Sequence, residues 1–130
     1  MGSKSDYLEN KLLDHVLRNT LYTQAATVYS ALYTTAPSDS TAGTEVTNAT
    51  SGYTRAATTF VTAASGQITN ASSFTFPTFA VAVTVIGWAV LDTSTVAAGN
   101  ILYYTTITTV AYATGDQPTV ATGGITITED

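Results

Sequence analysis

The 130-residue chain contains no cysteine, which removes zinc clusters, redox dithiols and thiol nucleophiles from consideration. At this length a core forms without disulfides or metal, because folding buries roughly two-thirds of the unfolded surface. Charge is also scarce. Only 10% of the residues are charged, where an ordinary soluble domain carries about a quarter. Four basic residues stand against nine acidic ones, for a net charge of -5, so neither a phosphate-tracking groove nor an anionic membrane surface finds enough cations here. Long apolar runs are missing too. The longest, Phe79 to Leu91, is interrupted by Thr84 and Gly87 and falls short of the ~20 residues a membrane helix needs. It reads instead as a strand buried on both faces. No apolar signal core follows Met1, since Ser3-Lys4-Ser5-Asp6 leads directly into a charged amphipathic stretch.

What fills the chain instead is threonine, 28 residues, and alanine, 19. A surface solvated by hydroxyls on a chain rich in β-branched residues points to strands and to broad contact with other protein. The first twenty residues differ from the rest. Six of the thirteen charges lie in Lys4 to Arg18, and Leu8, Leu12, Leu13, Val16 and Leu17 recur at helical spacing. Asp6 or Ser3 is the expected cap, Glu9 follows Asp6 as in a capping box, and Asp14 and Arg18 form an i,i+4 pair. A helix is therefore predicted over about 6–19.

Beyond Thr20 the period becomes strand-like and turn residues punctuate the chain. Six strands are expected: 27–35, 53–62, 67–76, 79–91, 101–110 and a final one split by Gly123-Gly124. A long loop is expected between Ala36-Pro37 and Gly52. The fold class that follows is mainly β, a small antiparallel β-sandwich of jelly-roll-like form with one N-terminal α-helix. The division is an amphipathic arm over 1–22 and a β domain over 23–130. The helix either packs across an open end of the sandwich or keeps its apolar stripe for a partner.

Catalytic materials are few. His15, the single histidine, adjoins Asp14, but helical neighbours at i,i+1 do not face each other, and no serine stands in a nucleophile elbow. Asp39, Glu45, Asp92 and Asp116 are isolated in turns, where such residues usually serve the turn itself. Asp92-Thr93-Ser94 is at best a fragment of a calcium loop. No metal or cofactor is expected. The Asn48-Ala49-Thr50 and Asn70-Ala71-Ser72 triplets match glycosylation acceptors only by composition. Arg55, the single arginine of the β domain, either pairs with Glu45 across the preceding loop or reaches an acid of a neighbouring subunit. Tyr103 and Tyr104, being adjacent in a strand, must face opposite sides of the sheet.

The opening Ser5-Asp6-Tyr7-Leu8-Glu9-Asn10-Lys11-Leu12-Leu13-Asp14-His15-Val16-Leu17-Arg18-Asn19-Thr20 is followed by Thr27-Val28-Tyr29 and Ala31-Leu32-Tyr33-Thr34-Thr35-Ala36-Pro37. With Gly43-Thr44-Glu45-Val46, Gly52-Tyr53-Thr54-Arg55 and the ending Ile125-Thr126-Ile127-Thr128-Glu129-Asp130, it resembles a family of small tailed-bacteriophage virion proteins commonly labelled tail fibre proteins. Where relatives have Gly-rich, Phe-containing strands, this chain has Val85-Ile86-Gly87-Trp88-Ala89-Val90-Leu91-Asp92. The resemblance implies a non-enzymatic structural role in a virion, assembled in the host bacterial cytoplasm. Because the chain is short for a host-reaching fibre, the leading expectation is a capsid cement or decoration protein, whose modest contacts are multiplied by shell symmetry. The alternatives are a small tail-fibre or baseplate component, and a carbohydrate-binding module using an outward tyrosine and Trp88. Expected partners are the major capsid protein or tail proteins of the same virion and further copies of the chain, with no nucleic acid and no membrane. Candidate contact residues are Leu8, Leu12, Val16, Arg55, Tyr103 and Tyr104.

Overall fold

The computed structural model describes residues 3–129. A two-residue strand, β1 (Ser3–Lys4), precedes helix α1 (Asp6–Leu17). Then come β2 (Val28–Thr35), β3 (Thr44–Glu45), the single helical turn α2 (Asn48–Ser51) and β4 (Ala56–Thr58). The second half holds β5 (Gln67–Thr69), β6 (Phe74–Thr75), β7 (Val83–Leu91), β8 (Ile101–Tyr112), β9 (Thr119–Val120) and β10 (Thr126–Thr128). The main sheet runs β1-β8-β7-β2-β3, with β4 also on β2, and two separate ribbons pair β10 with β5 and β6 with β9. Every pairing is antiparallel. The chain is thus mainly β with one substantial helix near its N-terminus, as its periodicity predicts.

The unbroken apolar run becomes the middle of the sheet. β7 lies between β2 and β8, and Gly87 to Leu91 are all buried. One sheet face carries Leu32, Trp88, Val90 and Leu102 into a core completed by Val46, Tyr53, Phe76, Phe79, Ile125 and Ile127. The other carries a smaller cluster of Ala31, Tyr33, Ala89 and Leu91, flanked by Ile101 and Tyr104. A bulge accounts for both faces being fed from β8. Val90 opposes Tyr103 and Leu91 opposes Ile101, so Leu102 is the extra residue of β8, and it turns into the larger core. Gly87 is required by close approach, because a Cβ there would lie 3.0 Å from Ala36 Cα.

Several expected strands are shorter than predicted. The 67–76 strand divides into β5 and β6 because Asn70, buried between them, turns the chain with its own amide. Its Nδ2 donates to Ser72 O and Ala121 O, each at 2.9 Å, and its Oδ1 accepts from Ile125 N at 2.8 Å. The 53–62 strand keeps regular pairing only over β4, with an isolated bridge from Phe60 to Asn70. The stretch expected as a long loop contains β3 and α2.

The N-terminal helix starts one residue away from the expected caps. Ser5, not Asp6 or Ser3, is the N-cap, its Oγ accepting from Leu8 N at 3.3 Å. Ser5 is also tied to the sheet, donating its N–H to Leu102 O at 3.0 Å and its hydroxyl to Ile101 O. At the other end Asn19 takes a left-handed φ of 54°, tolerated by asparagine, and the Arg18 and Thr20 N–H groups both return to Asp14 O. The Asp14–Arg18 pair forms at 2.9 Å on the exposed face.

Candidate functional site

Two quite different constellations emerge from the residues singled out in the sequence. The first is internal. Arg55 donates from Nε to Glu45 Oε1 and from Nη2 to Glu45 Oε2, both at 2.8 Å, with side-chain exposures of 1% and 4%. Of its two possible destinations, Arg55 therefore has the intramolecular one. The carboxylate also accepts from the Tyr53 hydroxyl at 3.0 Å and from Ala97 N at 2.7 Å, while Arg55 Nη1 reaches Thr93 O at 2.7 Å. Tyr53 OH in turn accepts from Leu32 N at 3.0 Å. The guanidinium and carboxylate are mutually saturated, which is the condition under which a buried pair is tolerated. Burial would lower the Arg55 pKa, but the Glu45 hydrogen bonds and charge outweigh it and raise it. Burial and then the Glu45 charge push the Tyr33 hydroxyl up to about 12.

The geometry explains two sequence motifs at once. Gly43-Thr44-Glu45-Val46 and Gly52-Tyr53-Thr54-Arg55 are the two halves of this lock. Gly43 has φ +64°, and a Cβ there would stand 2.4 Å from Thr35 O, so glycine is what lets the chain reverse from β2 into β3. Arg55 offers no charge to a partner in this arrangement.

The second constellation is on the surface. Leu8 is 5% exposed and belongs to the core, so it is not a free contact residue. Tyr7 and Leu12 pack partly against the same core. Leu13, Val16, Leu17 and Leu21 stand out at 57%, 73%, 75% and 79% exposure. A groove beside them is lined by Lys4, Glu9, Leu12, Leu13, Val16 and Leu17. The helix thus does both things the sequence allowed: it packs with one apolar column and leaves another uncovered. The legible signal was the doubling of Leu12-Leu13 and Val16-Leu17. Two adjacent columns 100° apart cannot both face one sheet.

Tyr103 and Tyr104 do lie on opposite faces, packed against the larger and smaller clusters respectively. Each is half-buried with its hydroxyl engaged: Tyr103 donates to Glu129 Oε1 at 2.7 Å and Tyr104 donates to Asp39. Glu129 also pairs with Lys4. Burial would raise the Glu129 pKa, but the Lys4 and Tyr103 hydrogen bonds prevail and lower it. The loop acids serve their turns. Asp92 accepts from both Asn100 N and Asn100 Nδ2 at 2.8 Å, and Asp116 accepts from Ala113 N at 2.8 Å. Among the described residues no three His, Cys, Asp or Glu side chains gather as a metal site would require. Asn70, one of the two glycosylation-like asparagines, is 1% exposed with its amide fully used.

A locked interior and an uncovered helix ridge, with no assembled acid–base pair, describe a part of an assembly. A family model described as podophage GP4 fiber I protein gp80 matches residues 3–128. The chain belongs to that family. It is therefore a fibre-type structural protein of a bacteriophage virion. The match spans the arm and the β domain together, in keeping with a helix whose first turn is bonded into the sheet. No curated protein matches this fibre-family chain. No described helix is long and apolar enough to cross a membrane.

Proposed function

We propose that this fibre-family chain is a non-enzymatic component of the phage tail fibre, joined to a neighbouring tail protein through the exposed ridge Leu13, Val16, Leu17 and Leu21. The observation that carries the reading is that ridge, four large apolar side chains between 57% and 79% exposed on a helix whose remaining apolar residues are packed inward. Such a row on a chain otherwise covered by threonine hydroxyls is what a helix-in-groove contact uses. The helix is also charge-balanced, with Lys4, Lys11 and Arg18 against Asp6, Glu9 and Asp14, so docking it desolvates no net charge. The capsid cement reading rested on chain length, and the fibre family to which the chain belongs favours the tail instead.

The test is made on particles. Leu13→Glu with Leu17→Glu alters exposed side chains only, so the isolated chain should keep its circular dichroism and its melting curve. Its incorporation into virions should fall by about tenfold or more, as expected when central contact residues are lost. Cryo-electron microscopy should find the wild-type density at the tail. Regular copies over the icosahedral shell would return the cement reading, and undiminished incorporation of the double variant would remove the ridge from the contact.

A further inference from the structure

One side chain on the larger core face stands apart. Trp88 is 7% exposed, and its indole Nε1 is the one buried side-chain polar atom among the described residues that has no hydrogen-bond partner. A buried donor left unpaired costs about 1–3 kcal/mol, so its persistence requires a reason. Trp88 also forms part of the wall of a cavity of about 260 Å³. That cavity lies where β7 and β8 meet the segments around β9 and β10.

The lining defines the occupant. Phe76, Trp88 and Tyr112 supply aromatic surface, Thr105 and Thr126 supply hydroxyls, and no lining residue is charged. An anion or a metal ion would be buried there without a counter-charge. A quaternary ammonium suits aromatic walls but brings no acceptor for the indole N–H. A neutral ligand with an apolar C–H face, several hydroxyls and ring or hydroxyl oxygens meets all three demands. The volume lies below the ~300–1,000 Å³ of sites for drug-sized ligands, which restricts it to about one ring. We propose that the Trp88 cavity is a binding site for a single neutral saccharide ring, with the indole Nε1–H donating to one of its oxygens. The proposal goes beyond the structural role in the fibre and does not depend on where in the particle the chain sits.

Trp88 is the single tryptophan of the chain, so a ¹⁵N-labelled sample gives one indole N–H resonance. The isolated protein is titrated with the methyl glycosides of glucose, galactose, mannose, N-acetylglucosamine and rhamnose. At least one should move that resonance saturably. Thr105→Val, which keeps shape and removes a hydroxyl, should weaken that binding by about tenfold or more. Trp88→Phe, followed from the sugar signals, should abolish it while the circular dichroism is retained. Should Trp88→Phe not fold, the indole shift and Thr105→Val decide the matter alone. An indole resonance unmoved by every sugar, or one that keeps a persistent cross-peak to water at saturating sugar, assigns the cavity to ordered water and overturns the proposal. Equal binding by Thr105→Val would do the same.

Discussion

Replacing Glu45 by leucine should damage this protein more than replacing Arg55 by leucine, although the two residues form one ion pair. When Arg55 is removed, the stranded carboxylate still accepts from Tyr53 OH and Ala97 N. The cost should sit near the lower end of the ~3–5 kcal/mol expected for breaking a buried pair. When Glu45 is removed, the guanidinium keeps only Thr93 O, and the hydroxyl of Tyr53, a residue 0% exposed, loses its acceptor. That orphan adds about 1–3 kcal/mol, giving a total of about 5 kcal/mol or more. Against a typical domain stability of about 5–15 kcal/mol, Glu45→Leu should leave the chain near its unfolding threshold at neutral pH. The Glu45→Leu, Arg55→Leu double variant removes both charges together. Its cost should be at least about 2 kcal/mol below the sum of the two single costs. Urea unfolding of the three variants, with equal slopes and shifted midpoints, supplies the numbers. Strict additivity, or a larger loss from Arg55→Leu, would refute the reasoning.

Two further outcomes follow from buried polar groups. Asn70→Ala should cost about 3 kcal/mol in the same urea assay, because it strands Ile125 N–H and the carbonyls of Ser72 and Ala121; a loss under about 1 kcal/mol would mean that water reaches those groups. In alkali, Tyr33 ionises only near pH 12 in the folded state, against an ordinary value of 10.0, and burial likewise raises Tyr53 and Tyr103. Because these folded values lie above the unfolded ones, the stability they contribute is complete below about pH 10 and is lost as the pH climbs through 12. Tyrosinate absorbance should accordingly show part of the eight tyrosines titrating together with loss of the near-ultraviolet dichroism, whereas independent titration of all eight near their ordinary value would contradict the burial argument.

The helix, the central strand and the outward doubling of leucines could be read directly, because each depends on a local period and on apolar residues close in sequence. The ribbons could not. β5 meets β10 and β6 meets β9, and nothing in segments of two or three residues specifies so distant a partner. Asn70 shows the same limit: its role depends on Ala121 and Ile125, and in the sequence it looked like a turn residue or a stray glycosylation triplet. Arg55 was halfway legible. Its acid was named, but only the fold distinguished an internal lock from a reach across subunits. The Trp88 cavity left no local signal, since its walls come from strands at both ends of the β domain.

The Asn70 amide has a consequence for time rather than for energy. Its bonds to Ala121 and Ile125 join positions 51 and 55 apart, and the two ribbons close across the same long span. Contacts of that separation must pay loop entropy before they return anything, and chains rich in them fold slowly, in milliseconds to seconds. The central β2-β7-β8 sheet closes over shorter loops and is expected to assemble first, with the ribbons latching over it last. Bonds that form after the rate-limiting step mainly slow unfolding. The amide of one asparagine thus acts as a clasp on the finished protein, setting how long each copy stays folded once it has been built.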